Sequence, residues 1–335
     1  MAFPIPYVLF FFTLLLGITI SISSPSWFSM WIGLELNMIS FIPLITIKMN
    51  PFLSESALKY FLIQALGSTL FLFSSCMFLS LTKLSSIILL MSLFLKLGSA
   101  PFHFWFPQVM MGLTWTQAII LMTFQKIPPM ILISYLSMNL TLTQIISFSA
   151  ILSAMIGALN GLNTTQLRKI MAFSSINHMS WMLISISIND MLWTLYFFFY
   201  SFISSSIMIL FNLFQTLTLS DLMKFNQPVT PNSMLIPLNL LSLGGLPPFA
   251  GFIPKWMLIQ LMINNKLFFS LIFLLSSTLI TLYFYLRISI FLFLFSNPSM
   301  ITYKKLNLNS FTFSFNSLLF FNLFMFFLPF MFLFY

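Results

Sequence analysis

The sequence predicts an all-α polytopic membrane protein, with about eleven transmembrane helices. Three observations lead there. First, only 5% of the 335 residues are charged and 60% are hydrophobic. A soluble domain carries about 25% charged residues, so lipid must be the solvent around most of this chain. Second, apolar stretches of about 20 residues, the length that spans a bilayer, follow one another with short polar breaks between them. Third, runs such as 272–286 are apolar on every side. A β-barrel would instead alternate polar and apolar residues in segments of about 10. Backbone groups in lipid must be satisfied internally, and helices do this within one segment.

Taken in order, the spans fall near 3–21, 27–47, 57–80, 84–98, 114–136, 141–160, 169–188, 191–217, 233–263, 267–295 and 310–334. Breaks such as Ser-Ser-Pro-Ser at 23–26, Asn-Pro at 50–51 and Asn-Thr-Thr at 163–165 separate them. No stretch is long and polar enough for a soluble domain, so residues 1–335 read as a single transmembrane domain. The N-terminus lacks the basic start of a signal peptide, and the first span is expected to be retained.

Loop cations set orientation. Loops after even-numbered spans carry Lys48, Arg168, Lys169, Lys224, Lys304 and Lys305, whereas those after odd-numbered spans carry Lys83 and Lys266. The even side shares the N-terminus. The N-terminus is therefore expected on the electrically negative side and the C-terminus opposite. The net charge of +9 is scattered singly among apolar spans rather than gathered in a patch, which argues against a nucleic-acid partner.

Two spans contain matching interruptions. One reads Leu97-Gly98-Ser99-Ala100-Pro101-Phe102, with a further proline at Pro107. The other reads Leu243-Gly244-Gly245-Leu246-Pro247-Pro248-Phe249, with a further proline at Pro254. Proline lacks a donor and clashes with the preceding turn, so broken helices are expected near 84–107 and 233–263. They lie five spans apart, an odd separation that turns the second copy upside down. Paired broken helices in an inverted repeat point to an ion or substrate site near the bilayer midplane. Repeat one would cover about 3–136 and repeat two about 141–295, leaving an extra helix at about 310–334.

Ionisable side chains inside spans are functional candidates, because each costs about 2.5–3.5 kcal/mol near the bilayer centre on insertion scales. Glu35 lies about 12 Å into the second span at helical rise. Lys96 adjoins the first break, Lys126 lies mid-span before Pro128 and Pro129, and Lys255 follows the second break. Glu35 is the one acid well inside a span, and Lys96 is its expected partner. Burial disfavours a charged amine and a nearby carboxylate favours it. A lysine balanced between the two can take up or release a proton, as an arginine cannot. Lys59, near the start of its span, and His178 read as possible relays, or as a snorkelling lysine and a packing histidine. Arg287 reads as a snorkelling residue, and His103 as a group that satisfies loop backbone. Cys76 reads as a small packing residue. One thiol cannot hold an iron–sulfur cluster. Nucleotide, haem and metal motifs are absent from the sequence, so any redox chemistry is expected in a partner.

Several motifs carry a family resemblance. They are Gly33-Leu34-Glu35-Leu36-Asn37, the run Lys96 to Trp105, Gln125-Lys126-Ile127-Pro128-Pro129, the run Leu167 to His178, and Gly244 to Trp256. These resemble the NADH dehydrogenase subunit 2 family, antiporter-like membrane subunits of mitochondrial respiratory complex I. The resemblance covers about residues 20–290, and the compact form looks arthropod-like. It implies proton pumping through two inverted five-helix repeats, eleven spans in animal versions, and an N-terminus in the matrix with the C-terminus in the intermembrane space. It maps the family's buried glutamate to Glu35, paired with Lys96, and its key lysines to Lys96, Lys126 and Lys255. It also implies the mitochondrial inner membrane as location. The implied partners are other membrane-arm subunits and lipids such as cardiolipin. NADH, FMN, iron–sulfur clusters and ubiquinone would be bound by other subunits, with no cofactor on this chain. Two other readings fit the same residues: a standalone cation/proton antiporter, and a purely structural membrane-arm subunit.

Overall fold

The computed structural model describes residues 5–46, 50–78, 80–223 and 231–294. The expected span at 310–334 and the loop cations Lys48, Lys224, Lys304 and Lys305 lie outside these residues. Among the described residues the regular structure is helical, apart from one isolated antiparallel bridge between Gln166 and Thr218.

The helices are α1 (Ile5–Ser23), α2 (Trp27–Thr46), α3 (Pro51–Met77), α4 (Thr82–Leu97), α5 (Trp105–Gly112), α6 (Trp115–Met122), α7 (Ile127–Leu136), α8 (Leu140–Leu162), α9 (Leu167–Ile188), α10 (Asp190–Leu213), α11 (Leu219–Met223), α12 (Pro231–Gly244), α13 (Phe252–Asn264) and α14 (Phe268–Leu294). A 3-10 turn (Phe124–Lys126) joins α6 to α7. The two expected breaks are present, between α4 and α5 and between α12 and α13.

Three details differ from the sequence expectation. The third span begins at Pro51 rather than near 57, because a proline at the first helical position is already set at a helical φ. Glu55 and Lys59 therefore sit in its opening turns. The fifth span is interrupted at the 3-10 turn instead of running through. Cys76 lies on the exposed face of α3, not in the core.

Among the described residues, seven helical stretches are long and apolar enough to cross a membrane. The others are instructive. The two broken spans fail by length, since each half has at most 16 residues. α9 is 22 residues long but too polar, with Ser174, Ser175, Asn177, His178, Ser180 and Ser185 along it. Every residue from 174 to 186 is buried. A helix wrapped in protein on all sides never meets lipid, so it can carry this polar load.

The most extensive helix pairings are α1 with α2 and α8 with α9. Both depend on glycine at the contact. A Cβ on Gly33 would lie 2.6 Å from the Ser21 nitrogen, and one on Gly157 would lie 2.8 Å from the Asn177 nitrogen. Small residues let backbones approach where no hydrophobic force acts between helices in lipid. The many serines return their hydroxyls to their own helix, as Ser21 does to the Ile18 carbonyl and Ser74 to Phe71, so they add little unpaired polarity. Outward faces are apolar: Ile5, Val8, Leu9, Phe12 and Leu16 of α1 are all exposed at helical spacing.

A candidate functional site of buried lysines

Helix α4 ends in a left-handed turn at Gly98, with φ of 69°. The amides of Gly98 and Ser99 both donate to the Phe94 carbonyl, at 3.0 and 3.2 Å. This closes the helix and satisfies a terminal carbonyl that lipid could not. The Trp105 indole caps another, donating to the Leu95 carbonyl at 3.0 Å. His103 is buried in the break, with its ring 4.1 Å from that of Phe104. Pro101 itself faces outward.

Lys96 occupies the last turn of α4 and is buried. Its stem crosses α3 at Gly67, where a Cβ would meet the Lys96 Cγ at 3.1 Å. Its amine lies 5.8 Å from the centre of the Phe71 ring. Glu35 acts on Lys96 electrostatically, but the two do not form the direct ion pair expected from the sequence. The reason lies in helix phase. Leu34, Asn37 and Met38 take the inward face of α2, and Glu35, one position around, is only half-buried at its edge.

Lys96 and Lys126 line one cavity of about 20 Å³, together with Asn37, Tyr60, Gln64 and Gln125. A water needs about 10–15 Å³ of such space and two to four polar partners, so the cavity is large enough to hold one. Lys126 sits at the end of the 3-10 turn and is only 2% exposed. Its amine lies 5.1 Å from the Phe106 ring centre and 5.2 Å from that of Tyr200, in cation–π geometry.

His178 continues the series. Its Nδ1 is 2.9 Å from the Tyr196 hydroxyl, and its ring is 5.1 Å from that of Tyr200. It lies within electrostatic reach of both Lys126 and Lys255. The structure thus brings Lys96, Lys126, His178 and Lys255 into one buried series.

At the second break Gly245 adopts φ of 79°. Lys255, from α13, reaches back and donates to the carbonyls of Leu243 at 3.1 Å and Gly244 at 2.9 Å. These are carbonyls that the broken helix leaves without amide partners. A Cβ on Gly245 would stand 2.8 Å from Lys255 Cδ and 2.9 Å from its Nζ. Glycine is required here twice, for the turn and for the lysine. Pro247 and Pro248 face outward.

Lys59 is not brought to this series. It pairs with Glu55 at 2.6 Å, one turn away on α3, and both side chains are substantially exposed, at 43% and 61%. The pair borders a separate cleft of about 320 Å³, with Gln108, Gln166 and Arg168. Arg168 donates to the carbonyls of Met111 and Leu113, both at 2.6 Å, and so caps α5. Arg287 reaches the carbonyls of Leu162 and Thr164 at the end of α8. Cations at helix C-termini complement the helix dipole. Sequence reasoning missed Asn37, Tyr60, Gln125, Tyr196 and Tyr200. Asn37 and Gln125 lay within the motifs that carry the family resemblance, whereas the three tyrosines gave no local signal.

The family described as NADH:quinone oxidoreductase/Mrp antiporter, TM, matches residues 24–87 and 79–281. The NADH-ubiquinone oxidoreductase chain 2 of Anopheles gambiae is 47% identical over 306 residues, covering 89% of this chain and 87% of that one. That of Aedes aegypti is 46% identical, covering 84% of each. Among solved structures, a chain of respiratory complex I from Thermus thermophilus with bound aureothin has a TM-score of 0.86 at 21% identity, covering 98% of this chain and 79% of that one. A chain of the Mrp complex from Dietzia sp. has a TM-score of 0.72 at 14% identity, covering 83% and 59%. At these identities the structures establish the shared fold, and the sequence relatives establish the lineage: this chain belongs to the NADH-ubiquinone oxidoreductase chain 2 family.

Proposed function

We propose that this chain is a proton-translocating, antiporter-like subunit of mitochondrial complex I, multi-pass in the inner membrane. The observation that carries this reading is the buried series from Lys96 through Lys126 and His178 to Lys255, which links two broken helices. Amines and an imidazole are groups that exchange protons near neutral pH once burial and neighbours tune them. Electron transfer in other subunits changes the field of Glu35 on Lys96. Protons then pass by way of the cavity to Lys126, and past His178 to Lys255. This chain binds no cofactor of its own, and its neighbours are other membrane-arm subunits and lipids such as cardiolipin. The N-terminus faces the matrix.

The same reading makes residues 3–136 and 141–295 inverted repeats. Two residue-level likenesses support it. Gly17 packs on the Asn37 backbone as Gly157 packs on that of Asn177. Gly98 and Gly245 close their helices with the same left-handed turn.

The deciding experiment is Lys126→Ala in the native complex. The complex assembles, and NADH-driven proton pumping per complex falls about a hundredfold, the scale of a lost acid–base group. Unchanged pumping in an assembled complex would make the chain a structural brace. Migration apart from NADH dehydrogenase activity on a native gel would instead favour the standalone antiporter.

A further inference from the structure

The turn that carries Lys126 is closed by short 3-10 bonds, from Lys126 N–H to the Thr123 carbonyl at 3.2 Å and from Ile127 N–H to that of Phe124. Thr123 departs from helical geometry, with φ of −111° and ψ of −80°. Pro128 and Pro129 have no N–H, so the carbonyls of Phe124 and Gln125 cannot receive ordinary helical donors. A side chain then ties the turn to two neighbouring helices. Gln125 Nε2 donates to Asn37 Oδ1 on α2 at 2.9 Å, and Gln125 Oε1 accepts from the Tyr60 hydroxyl on α3 at 3.1 Å.

Both anchors are firm. The Asn37 backbone is pressed against α1 at Gly17, where a Cβ would come within 2.9 Å. Tyr60 is 2% exposed, with its ring 5.1 Å from that of Phe41 and 6.0 Å from that of Trp105. The other half of the molecule offers a control. Asn177 also ties to a later helix, accepting from Ser277 at 3.0 Å and donating to Thr281 at 3.3 Å. That helix, α14, is unbroken and carries no lysine at the tie.

We propose that Gln125 is a positioning residue: held between Asn37 and Tyr60, it fixes the turn that aims the Lys126 amine into the cavity shared with Lys96. The proposal rests on the reading of Lys126 as a proton carrier. Freed of these bonds the turn can rotate, and the amine leaves the line toward Lys96. Lys126 faces Phe106 of α5 and Tyr200 of α10, with Lys96 across the cavity and His178 of α9 within electrostatic reach.

The test compares membranes carrying the whole complex with Gln125→Leu, Tyr60→Phe or Lys126→Ala. Assembled complex is quantified on native gels, and NADH-driven proton pumping per complex is followed across pH. Gln125→Leu assembles, pumps about tenfold more slowly, and has a displaced pH profile. Tyr60→Phe removes one oxygen, leaves the ring in place, and slows pumping about fivefold with the same displacement. Should pumping merely track the amount of complex, with the pH profile unmoved, Gln125 is a brace and the proposal is overturned. If Gln125→Leu fails to assemble, Tyr60→Phe decides; failure of both to assemble also overturns it. Lys126→Ala separates the two layers. Normal pumping there sinks the carrier reading, and the positioning role with it. Loss there, with both other variants normal, sinks the positioning role alone.

Discussion

The two helix breaks share a backbone design and use their lysines in opposite ways. At each, a glycine with positive φ turns the chain out of a helix and leaves carbonyls to be satisfied. At the first break a neutral group does the capping, the Trp105 indole on Leu95, while Lys96 runs across α3 to the cavity beside Lys126. At the second the lysine itself is the cap, with Lys255 on Leu243 and Gly244. The difference teaches that a lysine beside a broken helix is not one kind of site. Lys96 is free of the helix end, whereas Lys255 is tied to it. An amine donates in either protonation state, so the tie to those carbonyls survives the loss of a proton.

The contrast can be broken by substitution, and the largest effect is expected at Gly245. Gly245→Ala strains a left-handed turn and drives a methyl group into Lys255, for a combined cost of about 3 kcal/mol. Gly98→Ala meets the Phe106 Cβ at 3.1 Å and leaves Lys96 untouched, so it costs about 1–2 kcal/mol. Melting of the solubilised complex reads both, and equal losses would erase the distinction between the breaks.

Removing the caps sharpens the comparison. Lys255→Met takes away charge-assisted bonds to two carbonyls, worth about 2–3 kcal/mol, whereas Trp105→Phe takes one neutral bond, worth about 1 kcal/mol. The same melting measurement ranks them, and a costlier Trp105→Phe would reverse the assignment of roles. The smallest effect belongs to Lys59. Lys59→Met removes an exposed pair with Glu55, and both stability and pumping should stay within about 0.5 kcal/mol of the parent. A marked fall in pumping would restore Lys59 as a relay.

Much of the site was legible in the sequence because rarity is informative in lipid. Lys96, Lys126 and Lys255 stand out in apolar runs, and each is buried in the structure. Glu35 stood out for the same reason, yet its direct pairing with Lys96 did not follow, since that depends on which way α2 is rotated. Lys59 looked similar to the others because depth along an apolar run says nothing about which face a residue occupies. Tyr60 was invisible, as a neutral residue that matters here through its contact with Gln125, 65 residues along the chain.

The amino-acid sequence determined the helical membrane class, the two broken spans and the ionisable residues placed inside spans. Each of these follows from local chemistry: the cost of unpaired backbone in lipid, the missing donor of proline, and the cost of burying a charge. The tertiary structure decided which of those residues meet. It wrapped the polar helix α9 in protein, set Lys96 and Lys126 on one small cavity, turned Lys59 outward, and bent the fifth span so that Gln125 could be held from two sides. Helix rotation and packing depth arise from contacts among distant segments, and no single segment encodes them.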